Sequence, residues 1–184
     1  MSSLTTKKAI VLSFRKLLEK KPVTKITINE IANETNINRQ TFYYHFNDIT
    51  DLITWICTFE FNEKMQKYKD CSWDKQFLEI FNLINEEEKI IDNILHSVSK
   101  EIVYNNLCNL IYPTMYEEIS EMININIKEK DKIFIVNFYK YAFVSIVLKW
   151  IEQGRKQDPK EIIRNIKNIV NGTLNEACKQ FSKR

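Results

Sequence analysis

The sequence predicts an all-α protein, and three observations support that prediction. Only 2 of the 184 residues are glycine and only 3 are proline, so the chain is almost empty of the residues that form tight turns. Apolar residues recur at the three- and four-residue spacing of amphipathic helices along most of the chain. Residues that cap helices, such as threonine, asparagine and aspartate, lie between these segments.

Local signals fix the ends of the predicted helices. Pro22 ends the first helix, and Thr27-Ile-Asn-Glu30 is a capping box that opens the second. Asn36 tolerates the left-handed conformation that a sharp helix exit needs. Gly154 closes the penultimate helix, and Asp158-Pro159 starts the last. In chain order the expected helices cover residues 7–21, 28–35, 39–45, 49–68, 73–87, 89–96, 100–123, 131–153 and 159–181.

The second and third helices have the spacing of a helix-turn-helix. Ile31 and Ala32 supply the apolar face of the helix before the turn, and Ile37 follows the turn. Phe42 is the core residue of the helix after the turn. Once Phe42 and Phe46 are assigned to the core, the rest of the helix after the turn carries hydrogen-bonding groups and aromatic edges. These remaining residues are Arg39, Gln40, Thr41, Tyr43, Tyr44 and His45.

The positive charge of the chain is concentrated near its N-terminus. Residues 1–48 contain eight lysines and arginines against four acidic residues, whereas residues 49–184 contain nineteen against twenty. Such a surplus on a helix-turn-helix segment is typical of a nucleic-acid-binding surface. For Lys7, Lys8 and Arg15 two interpretations remain open, an ordinary solvated face or contact with phosphate.

Several classes of function are excluded or disfavoured. The two glycines, Gly154 and Gly172, lie far apart, which excludes enzymes built on glycine-rich nucleotide loops or nucleophile elbows. The four cysteines are widely separated and form no metal-binding or disulfide pattern. No apolar leader opens the sequence, and charged residues interrupt its most apolar stretch. We therefore expect a soluble cytoplasmic protein that is not an enzyme and has no membrane partner, metal or cofactor.

The segment from Thr27 to Leu52 resembles the DNA-binding segment of the tetracycline-repressor (TetR/AcrR) family, whose recognition helix ends in an aromatic-Tyr-His-Phe run. The match covers about residues 7–55. The resemblance implies a DNA-binding region at residues 1–48 with its motif at 27–46, a connecting helix at 49–69, and a ligand-binding and dimerisation region at 70–184. The C-terminal part more loosely resembles the subgroup of dihydroxyacetone-kinase operon activators.

The resemblance also implies roles for individual residues. Phosphate contacts are implied for Thr27, Tyr43, Tyr44 and His45, and base-edge or groove contacts for Asn38, Arg39, Gln40 and Thr41. Two positions depart from the family pattern. Asn36 replaces a common glycine, and Ile49 replaces a lysine that usually contacts phosphate. The second departure implies one phosphate contact fewer, and so weaker binding to every sequence.

Two further sites are expected in the C-terminal part. Aromatic residues near the kink expected at Pro113 are candidates for an effector pocket, with core packing as the alternative: Phe77, Phe81, Tyr104, Tyr112, Tyr116 and Phe138. The last two helices are apolar over more than one face, which favours either a central core or a two-fold dimer interface. We prefer the interface, formed by Phe134, Ile146, Trp150, Ile163, Ile166 and Val170.

These inferences predict a homodimeric repressor that binds a palindromic DNA operator and releases it when an unidentified small molecule binds. The alternative is a co-activator of the dihydroxyacetone-kinase-regulator type that acts through a protein partner.

Overall fold

A computed structural model describes residues 3–97, 100–122 and 127–182 of the chain, and these residues form helices and short connections without a strand. The all-α prediction is therefore confirmed, with a helix-turn-helix near the N-terminus and further helices after it. In chain order the α-helices are α1 (Ser3–Leu18), α2 (Ile28–Thr35), α3 (Arg39–His45), α4 (Ile49–Trp55), α5 (Phe61–Met65), α6 (Trp73–Glu86), α7 (Glu88–Ser97), α8 (Lys100–Met122), α9 (Glu129–Glu152) and α10 (Pro159–Ser182).

Helix α1 begins and ends earlier than the expected range of 7–21. No helix breaker lies among the residues before Lys7, so the helix extends back to Ser3. At its end, the amides of Lys20 and Lys21 both donate to the carbonyl of Leu17, at 3.0 and 3.1 Å, which tightens the last turn. Helices α2 and α3 have the predicted limits because their caps form as expected.

The expected helix 49–68 is interrupted. Asp48 caps α4 through the amide of Asp51, as predicted, but a π-helical turn, Ile56–Glu60, separates α4 from α5, and a 3₁₀ turn, Gln66–Tyr68, follows α5. The Thr58 hydroxyl donates to the carbonyl of Thr54 at 2.8 Å, where a regular helix would place only the backbone amide. This local competition is a physical reason for the widened turn.

The C-terminal helices follow the sequence signals within a few residues. At the end of α9 the amide of Gly154, at φ 75°, donates to Ile151, and the amide of Arg155 donates to Trp150. Asp158 accepts the amide of Lys160 at 2.9 Å and so caps α10. Pro113 lies inside α8 as expected, and the expected end of that helix near residue 123 lies outside the described residues.

The chain forms two compact units that do not coincide with the division expected from the sequence. The first unit consists of Met1–Glu63 and Ile84–Val103, and the second of Lys64–Leu83 and Tyr104–Arg184. Residues 84–103 join the first unit because Ile94 lies in the same apolar core as the N-terminal helices. The side chain of Asn93 also accepts the amide of Val23 at 3.0 Å and donates to the carbonyl of Leu18 at 3.3 Å.

The second unit has an aromatic core. Phe143 of α9 packs against Phe77 and Phe81 of α6, with ring centroids 4.6 and 5.9 Å apart. Trp150, about two turns further along α9, meets Phe81 edge-on, with ring centroids 4.9 Å apart. These contacts between α6 and α9 bury large rings, which stabilise the unit mainly through the apolar area that they remove from water.

Helix α9 is long and apolar enough to cross a membrane if only length and composition are considered. Its most apolar 18-residue window has a mean hydropathy of 1.4, and 39% of that window is buried inside the chain. Because the core helix of a soluble protein meets the same criteria, this property does not by itself indicate a membrane protein.

Candidate nucleic-acid interface

The turn between α2 and α3 holds the two helices in close contact. Asn36 adopts the left-handed conformation, with φ 57° and ψ 45°, and the amide of Ile37 donates to the carbonyl of Ala32 at 2.9 Å. Ile31, Ala32 and Phe42 are buried where the helices meet. The small side chain of Ala32 lets the backbones approach, so α3 is fixed firmly on α2.

Helix α3 presents one polar face to solvent. Phe42 and the following residue, Phe46, are buried, with ring centroids 5.8 Å apart. Thr41 and His45 are half-buried at the edge of the face. The exposed residues are Asn38, Arg39, Gln40, Tyr43 and Tyr44.

Two of the exposed groups are already engaged with each other. Arg39 donates from Nη2 to the hydroxyl of Tyr43 at 2.9 Å, and its guanidinium carbon lies 5.3 Å from the centroid of the Tyr43 ring. The pair spans one turn of α3, which is the spacing at which helical side chains meet. Asn38 is also partly committed, because its carboxamide oxygen accepts the amide of Gln40 at 2.9 Å and caps the helix. Its amide nitrogen remains as a donor.

The far end of the face is aromatic. Tyr44 is 83% exposed and meets the ring of His45 edge-on, with centroids 5.0 Å apart. Burial and the nearby charge of Lys7 lower the pKa of His45 below its usual value. The imidazole is therefore neutral at neutral pH and acts as a hydrogen-bonding group.

Thr27 lies at the start of α2 and its hydroxyl takes part in the capping box. The hydroxyl accepts the amide of Glu30 at 3.3 Å, and the Glu30 carboxylate accepts the amide of Thr27 at 2.9 Å. Lys21 donates to the same carboxylate at 2.5 Å. The hydrogen bonds from Lys21 and Thr27 lower the pKa of Glu30 to about 2, so the carboxylate is charged at neutral pH.

The second unit contains an apolar cavity of about 200 Å³. Of the aromatic residues expected in a pocket, Phe77 and Phe138 line it. Phe81 is instead fully buried in the core, whereas Tyr104, Tyr112 and Tyr116 are half-buried along α8 and do not line this cavity. The other lining residues are Trp73, Met115, Glu118, Ile119, Tyr139, Ala142, Phe143, Ile146, Ile166, Ile169 and Val170.

The residues expected at a dimer interface separate into different environments. Phe134 is 61% exposed, whereas Trp150 and Ile163 are buried inside the second unit. The indole N–H of Trp150 also donates to the carbonyl of Gln157 at 2.9 Å. Both the ring and the N–H of Trp150 therefore have partners within the chain. Ile146, Ile166 and Val170 line the cavity. The exposed apolar residues Phe138, Tyr141 and Ile169 are not among the residues expected at the interface.

Comparison with known families decides what kind of protein carries this face. Residues 13–54 match the model described as "Bacterial regulatory proteins, tetR family", and residues 72–172 match one described as "Transcriptional regulator C-terminal region". The chain belongs to the TetR family. It is therefore a DNA-binding transcriptional regulator, since members of this family regulate transcription and are not enzymes.

Relatives of this TetR-family regulator share its length and fold. It is 23% identical over 156 residues to the HTH-type dhaKLM operon transcriptional activator DhaS of Lactococcus lactis, covering 83% of this chain and 82% of the relative. The solved structure of the dihydroxyacetone kinase operon activator DhaS matches with a TM-score of 0.66 and 18% identity, covering 93% of this chain and 97% of that one.

A TetR regulator from Streptococcus agalactiae matches with a TM-score of 0.62 and 22% identity, covering 91% of this chain and 94% of that one. NalD, the secondary repressor of the MexAB-OprM multidrug efflux pump in Pseudomonas aeruginosa, matches with a TM-score of 0.57 and 14% identity. The match covers 88% of this chain and 93% of that one. Activators and repressors thus share this fold.

Proposed function

We propose that this regulator is a ligand-responsive repressor that binds a palindromic operator as a homodimer. The observation that supports the proposal most directly is the polar face of α3, on which every exposed side chain from Asn38 to Tyr44 carries a hydrogen-bonding group. A helix of this length reads only a half-site, so two copies are needed to read an inverted repeat.

We assign direct base reading to the N-terminal half of α3. Arg39 can donate two hydrogen bonds to O6 and N7 of guanine. Gln40 can form a pair of hydrogen bonds with N6 and N7 of adenine. The amide nitrogen of Asn38 and the hydroxyl of Thr41 reach the groove edge as additional hydrogen-bonding groups. We assign phosphate contacts to the flanking residues Thr27, Tyr43, Tyr44 and His45.

An apolar stripe on α9 and α10 supports dimerisation. Phe134 and Phe138 are each 61% exposed, Tyr141 is 46% exposed and Ile169 is 60% exposed. Adjacent exposed apolar side chains of this size are typical of interfaces and not of a free surface. Pairing of two copies through this stripe would bury the uncovered part of α9 and place two α3 helices on one DNA molecule.

The apolar cavity beside the stripe is the proposed effector site. Its lining is almost entirely aliphatic and aromatic, with Glu118 and Tyr139 as the polar members. Burial raises the pKa of Glu118, and neighbouring carboxylates add to this effect. An effector that binds better to a dimer conformation unable to bind the operator would lower operator affinity. The reduction equals the effector's differential affinity for the two conformations.

The likeness to DhaS supports a second candidate, an activator that works with a protein partner. The relative is a transcriptional activator by name, and the likeness extends over 83% of this chain. Stable co-purification of a partner, together with operator binding that depends on that partner, would favour this candidate. We expect either candidate to act in the cytoplasm, where its operator would lie.

Selection of bound duplexes from a random library at physiological salt tests the proposal. We expect an inverted repeat whose half-sites lie about one helical turn, roughly 34–36 Å, apart. The variant Arg39→Ala should lose the selected sequence while retaining its fold by circular dichroism. Enrichment of no sequence would refute operator binding by the free protein and leave the partner-dependent activator.

A further inference from the structure

The four basic residues of α1 differ in what neutralises them. Lys8 pairs with Glu63 at 3.1 Å, and Lys16 pairs with Glu34 at 3.6 Å. Arg15 holds two carboxylates, those of Glu60 and Glu87, at 2.6 and 2.5 Å. Lys7 has no carboxylate partner among the residues that the structure describes. Its charge is therefore the one on α1 that remains available for an external anion.

Lys7 is held at the end of α3 by two aromatic rings. Its Nζ lies 5.1 Å from the centroid of Phe46 and 5.6 Å from that of Trp55, which is within the range of cation–π attraction. Phe46 directly follows α3, and the charge of Lys7 acts on His45, the last residue of that helix. The ammonium thus adjoins the His45 and Tyr44 end of the polar face.

Among the residues that the structure describes, the start of the next helix brings no cation to this corner of the first unit. The next helix, α4, opens with Asp48 as its cap and Ile49 as its first residue, and Ile49 packs against the apolar core. His45 is neutral at neutral pH for the reason given above. A phosphate beside Tyr44 would therefore meet hydrogen-bonding groups from α3 and the full positive charge of Lys7.

We propose that Lys7 is a DNA-binding residue that contacts a backbone phosphate next to the one bound by the end of α3. This inference rests on the proposed operator binding, and it assigns to α1 a role that the motif at residues 27–46 does not contain. A lysine ammonium on a flexible stem suits phosphate as a point charge and carries no base specificity. Its contribution should be equal for all sequences and should decrease with salt.

The test compares Lys7→Gln with Lys8→Gln, which removes the same charge from the adjacent residue. Affinity for the duplex selected above, and for a mixed-sequence duplex of equal length, is measured over a series of salt concentrations. Each lost phosphate contact reduces the slope of log affinity against log salt by about 0.9, so a dimer that loses two should change by about 1.8. We expect this change for Lys7→Gln, a much smaller one for Lys8→Gln, and recovery of the slope in Lys7→Arg.

The outcomes separate this inference from the proposed function. If the wild-type protein binds the selected duplex while Lys7→Gln has the slope of Lys8→Gln, the inference is wrong and operator binding stands. If no duplex is selected, the slopes on mixed-sequence DNA still decide the role of Lys7. Weaker binding with an unchanged slope would also overturn the inference, because it would reveal a packing effect on Phe46 and Trp55. Lys7→Met, which keeps the apolar stem over both rings, should share the slope of Lys7→Gln.

Discussion

Arg39 and Tyr43 act as one unit on the outer face of α3. The guanidinium donates to the phenol oxygen at 2.9 Å and lies over the same ring, with its carbon 5.3 Å from the ring centroid. A side chain with as much rotamer freedom as arginine is thereby restrained before any DNA is bound. The structure joins two residues to which the family resemblance gives separate roles, a base contact for Arg39 and a phosphate contact for Tyr43.

Removal of the Tyr43 hydroxyl should therefore reduce sequence discrimination. Tyr43→Phe keeps the ring under the guanidinium but loses the hydrogen bond, which contributes about 1 kcal/mol, or roughly a five-fold change in binding. Loss of the proposed phosphate contact should weaken all operators equally, and loss of the bond to Arg39 should in addition weaken the preference at the base pair that Arg39 reads. Competition binding with operators changed at single base pairs measures it.

Tyr44→Phe is the matched control for this prediction. Tyr44 makes no hydrogen bond to Arg39 and is 83% exposed at the other end of the face. Its hydroxyl is proposed to contact phosphate, so Tyr44→Phe should weaken all operators by the same factor. If Tyr43→Phe behaves in the same way, the Tyr43 hydroxyl acts only through its phosphate contact and does not orient Arg39.

The fold could be predicted where its signals are local. The capping box at Thr27, the cap at Asp48 and the glycine at position 154 each act within one helical turn, and the predicted helix limits there agree with the structure within a few residues. The packing of residues 84–103 with the N-terminal helices could not be predicted. It depends on Asn93 meeting Val23, a contact between residues 70 positions apart that no local pattern encodes.

The polar face of α3 and the C-terminal cavity show the same contrast. Periodicity alone separated the buried Phe42 from the polar face of the same helix, because one helix determines both. The cavity depends on how α6, α8, α9 and α10 meet, so the sequence found Phe77 and Phe138 but also included Phe81, which fills the core. The charge on Lys7 is a further case, since only the structure shows which lysines of α1 are paired.

Dimerisation through the apolar stripe is tested with Phe134→Asp. Phe134 is 61% exposed and does not line the cavity, so a charge there should spare the fold of the single chain. An unpaired carboxylate buried in an interface opposes association, and we expect the dimer dissociation constant to rise by at least about ten-fold. Sedimentation velocity over a range of protein concentrations measures this change.

Leu12→Asp is the control because Leu12 is 62% exposed, on α1 in the first unit. It introduces the same charge at equal exposure and should leave the dimer unchanged. Dissociation in both variants, or in neither, would argue against the stripe on α9 as the interface.

Arg15 is expected to stabilise the first unit by joining distant segments. It connects α1 to Glu60 of the π-helical turn and to Glu87 between α6 and α7, and its side chain is only 22% exposed. Arg15→Met keeps much of the side-chain volume but leaves two carboxylates without this partner. We expect a loss of about 2 kcal/mol in the free energy of unfolding, measured by urea denaturation.

Lys8→Met provides the comparison, since the pair of Lys8 and Glu63 is about half exposed. Such a pair contributes less than about 1 kcal/mol. Equal losses in the two variants would mean that the double ion pair of Arg15 stabilises the unit no more than an ordinary surface pair.

The carboxylate of Glu30 should make stability depend on pH in the acid range. Its pKa is lowered to about 2 by hydrogen bonds from Lys21 and Thr27, against a usual value of 4.5. A lowered pKa means that the stabilisation is complete above about pH 5 and is lost as the pH falls towards 2, because the unfolded chain takes up the proton first.

Glu30→Gln preserves a side chain that fits the capping box but cannot titrate. Urea midpoints should therefore differ between wild type and variant at pH 6 and converge near pH 2, with a smaller difference in high salt because Glu30 is exposed to solvent. A difference that is as large at pH 2.5 as at pH 6 would show that it comes from side-chain geometry and not from the charge.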